Sequence, residues 1–271
     1  MRHLVLHQPG RLTLETTPEP DPPAPGEVLL RIHRVGVCGT DYHAYRGRQP
    51  FFSYPRVLGH ELGAAVVDVG EGVAGVRVGD RVAVEPYLNC GTCQPCRAGL
   101  TNCCESLRVL GVHADGGMAE YLRVPAAKVH VSNALTFEQL ALVETLGIGA
   151  HAVDRACVRA NDLVLVIGAG PVGLSVVQFA KAAGATVAVL DLVENRLCFC
   201  QKYLGADAVL QSSGDETLAH LRAVLGGDRP TVVFDATGSD ASMQESFSYP
   251  ASGGRLLFVG LFQGDVTFHD P

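Results

Sequence analysis

No segment of this 271-residue chain reads as membrane-spanning, because its longest apolar runs are broken by glycine and charge. The N-terminal MRHLVLHQPG has no apolar core of the kind that marks a secretory leader. Basic runs are also missing. With 21 Lys and Arg against 28 Asp and Glu the formal charge is −7, which argues against nucleic acid as the main partner. Tryptophan is absent, and there is no internal repeat or low-complexity tract. What remains is a globular composition, 47% hydrophobic, of a length that suits two domains better than one. A reducing cytoplasmic setting is expected.

Cysteine, by contrast, is plentiful. Cys90, Cys93, Cys96 and Cys104 follow the spacing C-x2-C-x2-C-x7-C, with Gly91, Pro95 and Gly99 bending the chain between the thiols. Four thiolates fill every position of tetrahedral zinc, so such a site holds a loop together and does no chemistry. The bland alternatives are a disulfide cluster or unpaired core thiols. A four-Cys zinc loop also fits a nucleic-acid-binding ribbon, but no basic run accompanies this one.

The rhythm of the sequence changes once. Up to about residue 145, short apolar segments recur between turn signals: Glu27–Val35, Leu62–Val69, Arg81–Val84 and Ala119–Val124. The Pro-rich Pro18–Gly26 is a surface connection. Thr136–Ala152 is apolar and predicts one helix. From Asp162 onward strands and helices alternate, with strands expected at Leu163–Ile167, Thr186–Leu190, Ala208–Leu210, Thr231–Phe234 and Arg255–Val259. That alternation implies an α/β domain whose doubly wound parallel sheet is covered on both faces.

Gly168-Ala-Gly170-Pro171-Val172-Gly173 is G-x-G-x-x-G placed directly after an apolar strand and opening a helix. The first glycine makes the turn, the second lets backbone approach a pyrophosphate, and the third lets helix and strand pack closely. Asp191 ends the next strand, 18 residues after Gly173. A carboxylate there accepts bonds from both ribose hydroxyls of NAD and repels the 2′-phosphate of NADP; otherwise it is a solvated turn residue. Arg196 either stacks near adenine or is an ordinary exposed helix arginine. Thr237 ends a later strand on the same sheet edge, where the cofactor cleft belongs.

A second metal constellation lies upstream. Gly36-Val-Cys38-Gly-Thr40-Asp41-Tyr-His43 precedes Gly59-His60-Glu61, and Cys38 with His60 is a donor pair suited to zinc. With GVCGTDYH, GHELG, the four-Cys lobe and VIGAGPVG in this order, the chain resembles the zinc-dependent medium-chain alcohol/polyol dehydrogenases. Its loops around Tyr54–His60 and Val109–Gly117 are similar to the bacterial sugar-acid members, of gulonate or galactonate type.

The resemblance implies a GroES-like catalytic domain over residues 1–145, carrying the structural zinc lobe at about 88–106, and a Rossmann NAD-binding domain over residues 146–271. It implies two zinc ions per chain. Cys38 and His60 would ligate the catalytic one, with Glu61 as a carboxylate beside it and Glu144 at a third ligand position. Thr40 would take the hydroxyl proton, which passes through the cofactor ribose to His43 and then to water. Hydride would move from a secondary alcohol of a polyol, sugar or sugar acid to NAD. Arg56 or Arg46 could meet a substrate carboxylate, and the loop of His113 could border the pocket. Family members usually run longer and pair through a sixth strand as homodimers or homotetramers. The sequence stops before that strand, so an impaired, non-catalytic zinc- and NAD-binding homologue is the alternative.

Overall fold

The computed structural model describes residues 1–211, 216–262 and 264–267. His269, read from sequence as an isolated surface or core histidine, lies outside them. The chain divides into two compact units, Met1–Glu144 and Thr145–Pro271.

The first unit is built from antiparallel strands. β1 (Arg2–Gln8) and β2 (Arg11–Thr16) form a hairpin, and β3 (Glu27–Gly36) leads into the short helix α1 (Gly39–Tyr45). Then come β4 (Arg56–Val57), β5 (Glu61–Val69), β6 (Arg81–Val84) and β7 (Tyr87–Leu88). A small helix α2 (Gln94–Arg97), strands β8 (Arg108–Val109), β9 (Tyr121–Pro125) and β10 (Val129–Val131), and helix α3 (Phe137–Ala141) complete it. The main sheet runs β10-β6-β5-β3-β9, a smaller one runs β2-β1-β4, and β7 pairs with β8 alone. Alternation explains the core: Val28 and Leu30 of β3 and Leu62, Ala64 and Val66 of β5 turn inward and are fully or almost fully buried.

The second unit begins with the body of helix α4 (Val143–Arg155). Strands β11 (Leu163–Ile167), β12 (Thr186–Leu190), β13 (Ala208–Leu210), β14 (Val232–Asp235) and β15 (Arg255–Phe258) follow, with helices α5 (Pro171–Ala182), α6 (Glu194–Leu204), α7 (Thr217–Val224) and α8 (Asp240–Ser246) between them. The sheet order is β13-β12-β11-β14-β15 and every pairing is parallel. Both faces are covered. Val164, Val166, Val187 and Val189 pack with α5 and α6 residues, whereas Leu165, Ile167, Ala188 and Val233 pack with Leu221 of α7 and with Tyr249. The near-continuous apolar runs of β11 and β12 are the signature of strands buried on two sides.

One element departs from the sequence reading. The helix expected over Thr136–Ala152 is two helices, α3 and α4, parted at Leu142, which is 52% exposed. The break has a packing cause. α3 lies so close on β5 that a Cβ at Gly63 would stand 2.0 Å from the Phe137 carbonyl. α4 is instead tied into the second unit, where Gly149 admits Ser175. No described helix is long and apolar enough to cross a membrane.

Candidate active site

The first cluster forms where β3 ends, α1 starts and β5 starts. The β3–β5 ladder closes on the pair Gly36↔Glu61. That pairing places Glu61 beside the segment carrying Cys38, with His60 just ahead of it. Ligand atoms of Cys38, His60 and Glu61 all lie within 4.8 Å of one another. His60 and Glu61 are 6% and 7% exposed. The approach requires glycine at 36, since a Cβ there would stand 1.9 Å from Glu61 Oε2. Asp41 is buried and accepts the Cys38 N–H at 3.0 Å, fixing the turn from which the thiol projects; burial pushes its carboxyl up.

The residues fit a zinc ion. Sulfur, imidazole nitrogen and carboxylate oxygen are its usual donors, and His60 Nδ1 is buried with no partner in the protein. Burial alone would pull the His60 imidazole down, but the Cys38 thiol and the carboxylates of Asp41 and Glu144 raise it to about 9. Such a site favours a cation. Glu144 is not in the gathered set. Its Oε1 accepts the Tyr87 hydroxyl at 2.7 Å, and burial pushes its carboxyl up. Thr40 and His43 sit three residues apart on α1, Thr40 half-buried and His43 exposed.

The second cluster is the loop that β7 and β8 clamp. Ligand atoms of Cys90, Cys93, Cys96 and Cys104 also lie within 4.8 Å of one another, and all nine cysteines of the chain are free thiols. Cys103 is outside the group. Backbone N–H groups of Cys93 and Cys90 donate to the sulfurs of Cys90 and Cys104 at 3.4 and 3.3 Å. The amides of Thr92 and Cys93 hold the Cys90 thiol down at about 6, whereas burial and the neighbouring Cys93 push Cys96 up to about 11. Four thiols this close ionise together only around a cation, and tetrahedral zinc takes this donor set.

In the second unit a cavity of about 460 Å³ opens at the carboxyl ends of β11, β12 and β14. Gly168, Gly170, Asp191, Arg196 and Thr237 line it, while Pro171, Val172 and Gly173 do not. Gly168 has φ +91°, and a Cβ at Gly173 would stand 1.8 Å from the Gly168 carbonyl oxygen, so the turn needs both glycines. A Cβ at Gly170 would meet nothing within 4 Å; its place is the open side of the loop. Asp191 accepts the amides of Ala169 and Val193 at 2.7 and 2.8 Å, one on each oxygen, and each oxygen keeps a second lone pair. Arg196 stands 3.7 Å from Asp191. The Thr237 hydroxyl is spent on its own turn, donating to Asp235 at 2.6 Å. A Gly-rich turn ahead of a helix N-terminus, with an acid on the next strand, fits the pyrophosphate and ribose of a dinucleotide.

Two residues considered for substrate contact are otherwise engaged. Arg56 donates to Asp115 at 3.2 Å and to Ser53 at 2.9 Å, and His113 Nδ1 accepts the Val109 amide at 3.1 Å. Two residues that matter here escaped the motif reading: Gly36, marked only by its register opposite Glu61, and Tyr87, marked by nothing local. Asp41 is the residue of the Cys38 motif that orients its neighbour, as its place three residues on suggests.

An antiparallel unit with two metal-competent clusters, followed by a doubly wound sheet with a dinucleotide cavity, defines a class of oxidoreductase: the chain belongs to the zinc-binding alcohol dehydrogenase family. Residues 24–133 match the alcohol dehydrogenase GroES-like domain, and residues 171–271 match the zinc-binding dehydrogenase domain. The L-galactonate-5-dehydrogenase of Escherichia coli K12 is 43% identical over 271 residues, spanning 100% of this chain and 79% of that protein. Human sorbitol dehydrogenase is 41% identical over 266 residues, 95% of this chain and 74% of its own length. A crystal structure of an E. coli CFT073 alcohol dehydrogenase, complexed with NADH, superposes with a TM-score of 0.90 at 35% identity, covering 99% of this chain and 79% of that one.

Proposed function

We propose that the chain oxidises a secondary alcohol of a polyol or sugar acid to the ketone, with zinc at Cys38, His60 and Glu61 and NAD in the cavity beside Asp191. The observation that carries this reading is the sulfur–nitrogen–oxygen trio within 4.8 Å, its histidine and glutamate buried and its cysteine half-buried. When bound, zinc supplies Lewis acidity to the substrate hydroxyl and NAD accepts the hydride. The chain's own residues do the rest. Three protein donors leave a tetrahedral metal one position for substrate. Thr40 would take the substrate hydroxyl proton as its own leaves along a hydrogen-bonded relay, and His43, on the exposed side of α1, would pass a proton from that relay to water. The turn at Gly168–Gly173 holds the pyrophosphate. Asp191 accepts the ribose hydroxyls with its spare lone pairs and disfavours a 2′-phosphate. The relatives named for galactonate and sorbitol support the substrate class. A sugar acid also needs a cation, and Arg46 supplies one: it is exposed, ends α1 three residues after His43, and makes no ion pair among the described residues.

A panel of hexonates and hexitols tests the reading, with formation of reduced nicotinamide as the readout. Turnover with NAD in preference to NADP, abolished by a chelator and restored by zinc, is the expected result. Arg46→Ala should raise KM for hexonates and leave hexitols unchanged. Protein that binds zinc and NAD but turns over nothing in the panel would overturn the proposal in favour of a binding protein.

A further inference from the structure

We infer that Tyr87 is a positioning residue for the metal cluster: its hydroxyl pins Glu144 and keeps that carboxylate out of the coordination position that substrate must enter. The inference rests on the zinc-dependent reading above.

A zinc ion held by three side chains has one vacancy, and four protein donors make a closed, structural site. A free carboxylate next to a catalytic trio is therefore a hazard to turnover. Glu144 is such a carboxylate. Its charge bears on His60 and that of Glu61 bears on it, yet it stands outside the set of atoms within 4.8 Å. What it does instead is accept the Tyr87 hydroxyl at 2.7 Å. A hydrogen bond from a neutral hydroxyl to a half-buried carboxylate is strong, because the charge it serves has little water to turn to.

The phenol is itself fixed by backbone. Tyr87 pairs with Val109 and Leu88 with Arg108 in the β7–β8 ladder. Beside it the Leu110 amide donates to the Pro86 carbonyl at 3.0 Å. This ladder is the stem of the four-cysteine loop, which leaves β7 at Cys90 and returns to β8 after Cys104. Tyr87 thus reaches Glu144 from a rigid base. Cys90, Cys93, Cys96 and Cys104 would hold a structural metal in that loop and so brace the stem that carries Tyr87.

The test uses cobalt(II) in place of zinc in the whole protein. Bands belonging to the catalytic site are those lost in Cys38→Ser. Imidazole, a neutral nitrogen donor that enters an open metal position, is titrated against them. We expect Tyr87→Phe to need about ten-fold more imidazole for the same spectral change, in the range usual for residues that orient a metal environment. The double variant Tyr87→Phe/Glu144→Gln should return to the midpoint of Glu144→Gln alone. A Tyr87→Phe midpoint equal to the parent's overturns the inference. So does a double variant that still carries the ten-fold loss, which would mean Tyr87 acts on packing rather than through Glu144. Absence of any Cys38-dependent band in the parent would defeat the zinc reading itself, and the role of Tyr87 with it.

Discussion

At the residue scale, the metal cluster depends on a side chain that is missing. Gly36 leaves the space that Glu61 fills, and an added Cβ would overlap its Oε2 at 1.9 Å and crowd its Cβ at 2.8 Å. Gly36→Ala should push the carboxylate aside and weaken zinc binding about 10–100-fold, measured by competition with a chromophoric chelator. Unchanged affinity would mean that Glu61 is not a ligand. The cysteines and His60 were legible in the sequence because their spacing or motif carries them. Which of Glu61 and Glu144 stands within 4.8 Å of Cys38 and His60 was not. It depends on a strand register that pairs Gly36 with Glu61 and on a hydrogen bond from Tyr87, 57 positions from Glu144. Arg56 was open for the same reason: its partner Asp115 is 59 positions away. Long-range pairing leaves no local mark.

At the scale of elements, the strands of the second unit were legible almost to the residue, because strands buried on both faces are short apolar runs between glycines. The split between α3 and α4 was hidden, since Leu142 sits in an unbroken helix-forming run and only the competing packing at Gly63 and Gly149 parts it. The four-cysteine loop reads as one element, with a two-residue ladder as its stem and four sulfurs gathered within 4.8 Å of one another. Cys96→Ser should therefore release one zinc, taking the content from about two per chain to about one. Metal analysis checks this, and retention of both ions would show that three thiols suffice.

At the scale of the whole molecule, the second unit is tied across its sheet by one carboxylate. Asp162, at the foot of β11, accepts Thr231 and Arg255 side chains at 2.7 Å each and the Arg159 amide at 2.8 Å. Burial alone would raise its carboxyl, but these donors hold it below its ordinary value. A depressed folded-state value gives stability that is full above the unfolded carboxylate range and is lost as pH falls through the folded value. Asp162→Asn should cost about 1–3 kcal/mol near neutral pH and should flatten the acid limb of a stability–pH curve. A parallel, undiminished acid limb would place the linkage elsewhere. The division of labour along the chain has a further consequence. Among the described residues every gathered metal donor lies between Cys38 and Cys104, and the first unit ends at Glu144. Chains emerge from the ribosome amino end first, and leading domains fold first. Both donor sets thus leave the ribosome ahead of the nucleotide-binding half, so zinc can meet its ligands on the nascent chain before the dinucleotide cavity exists.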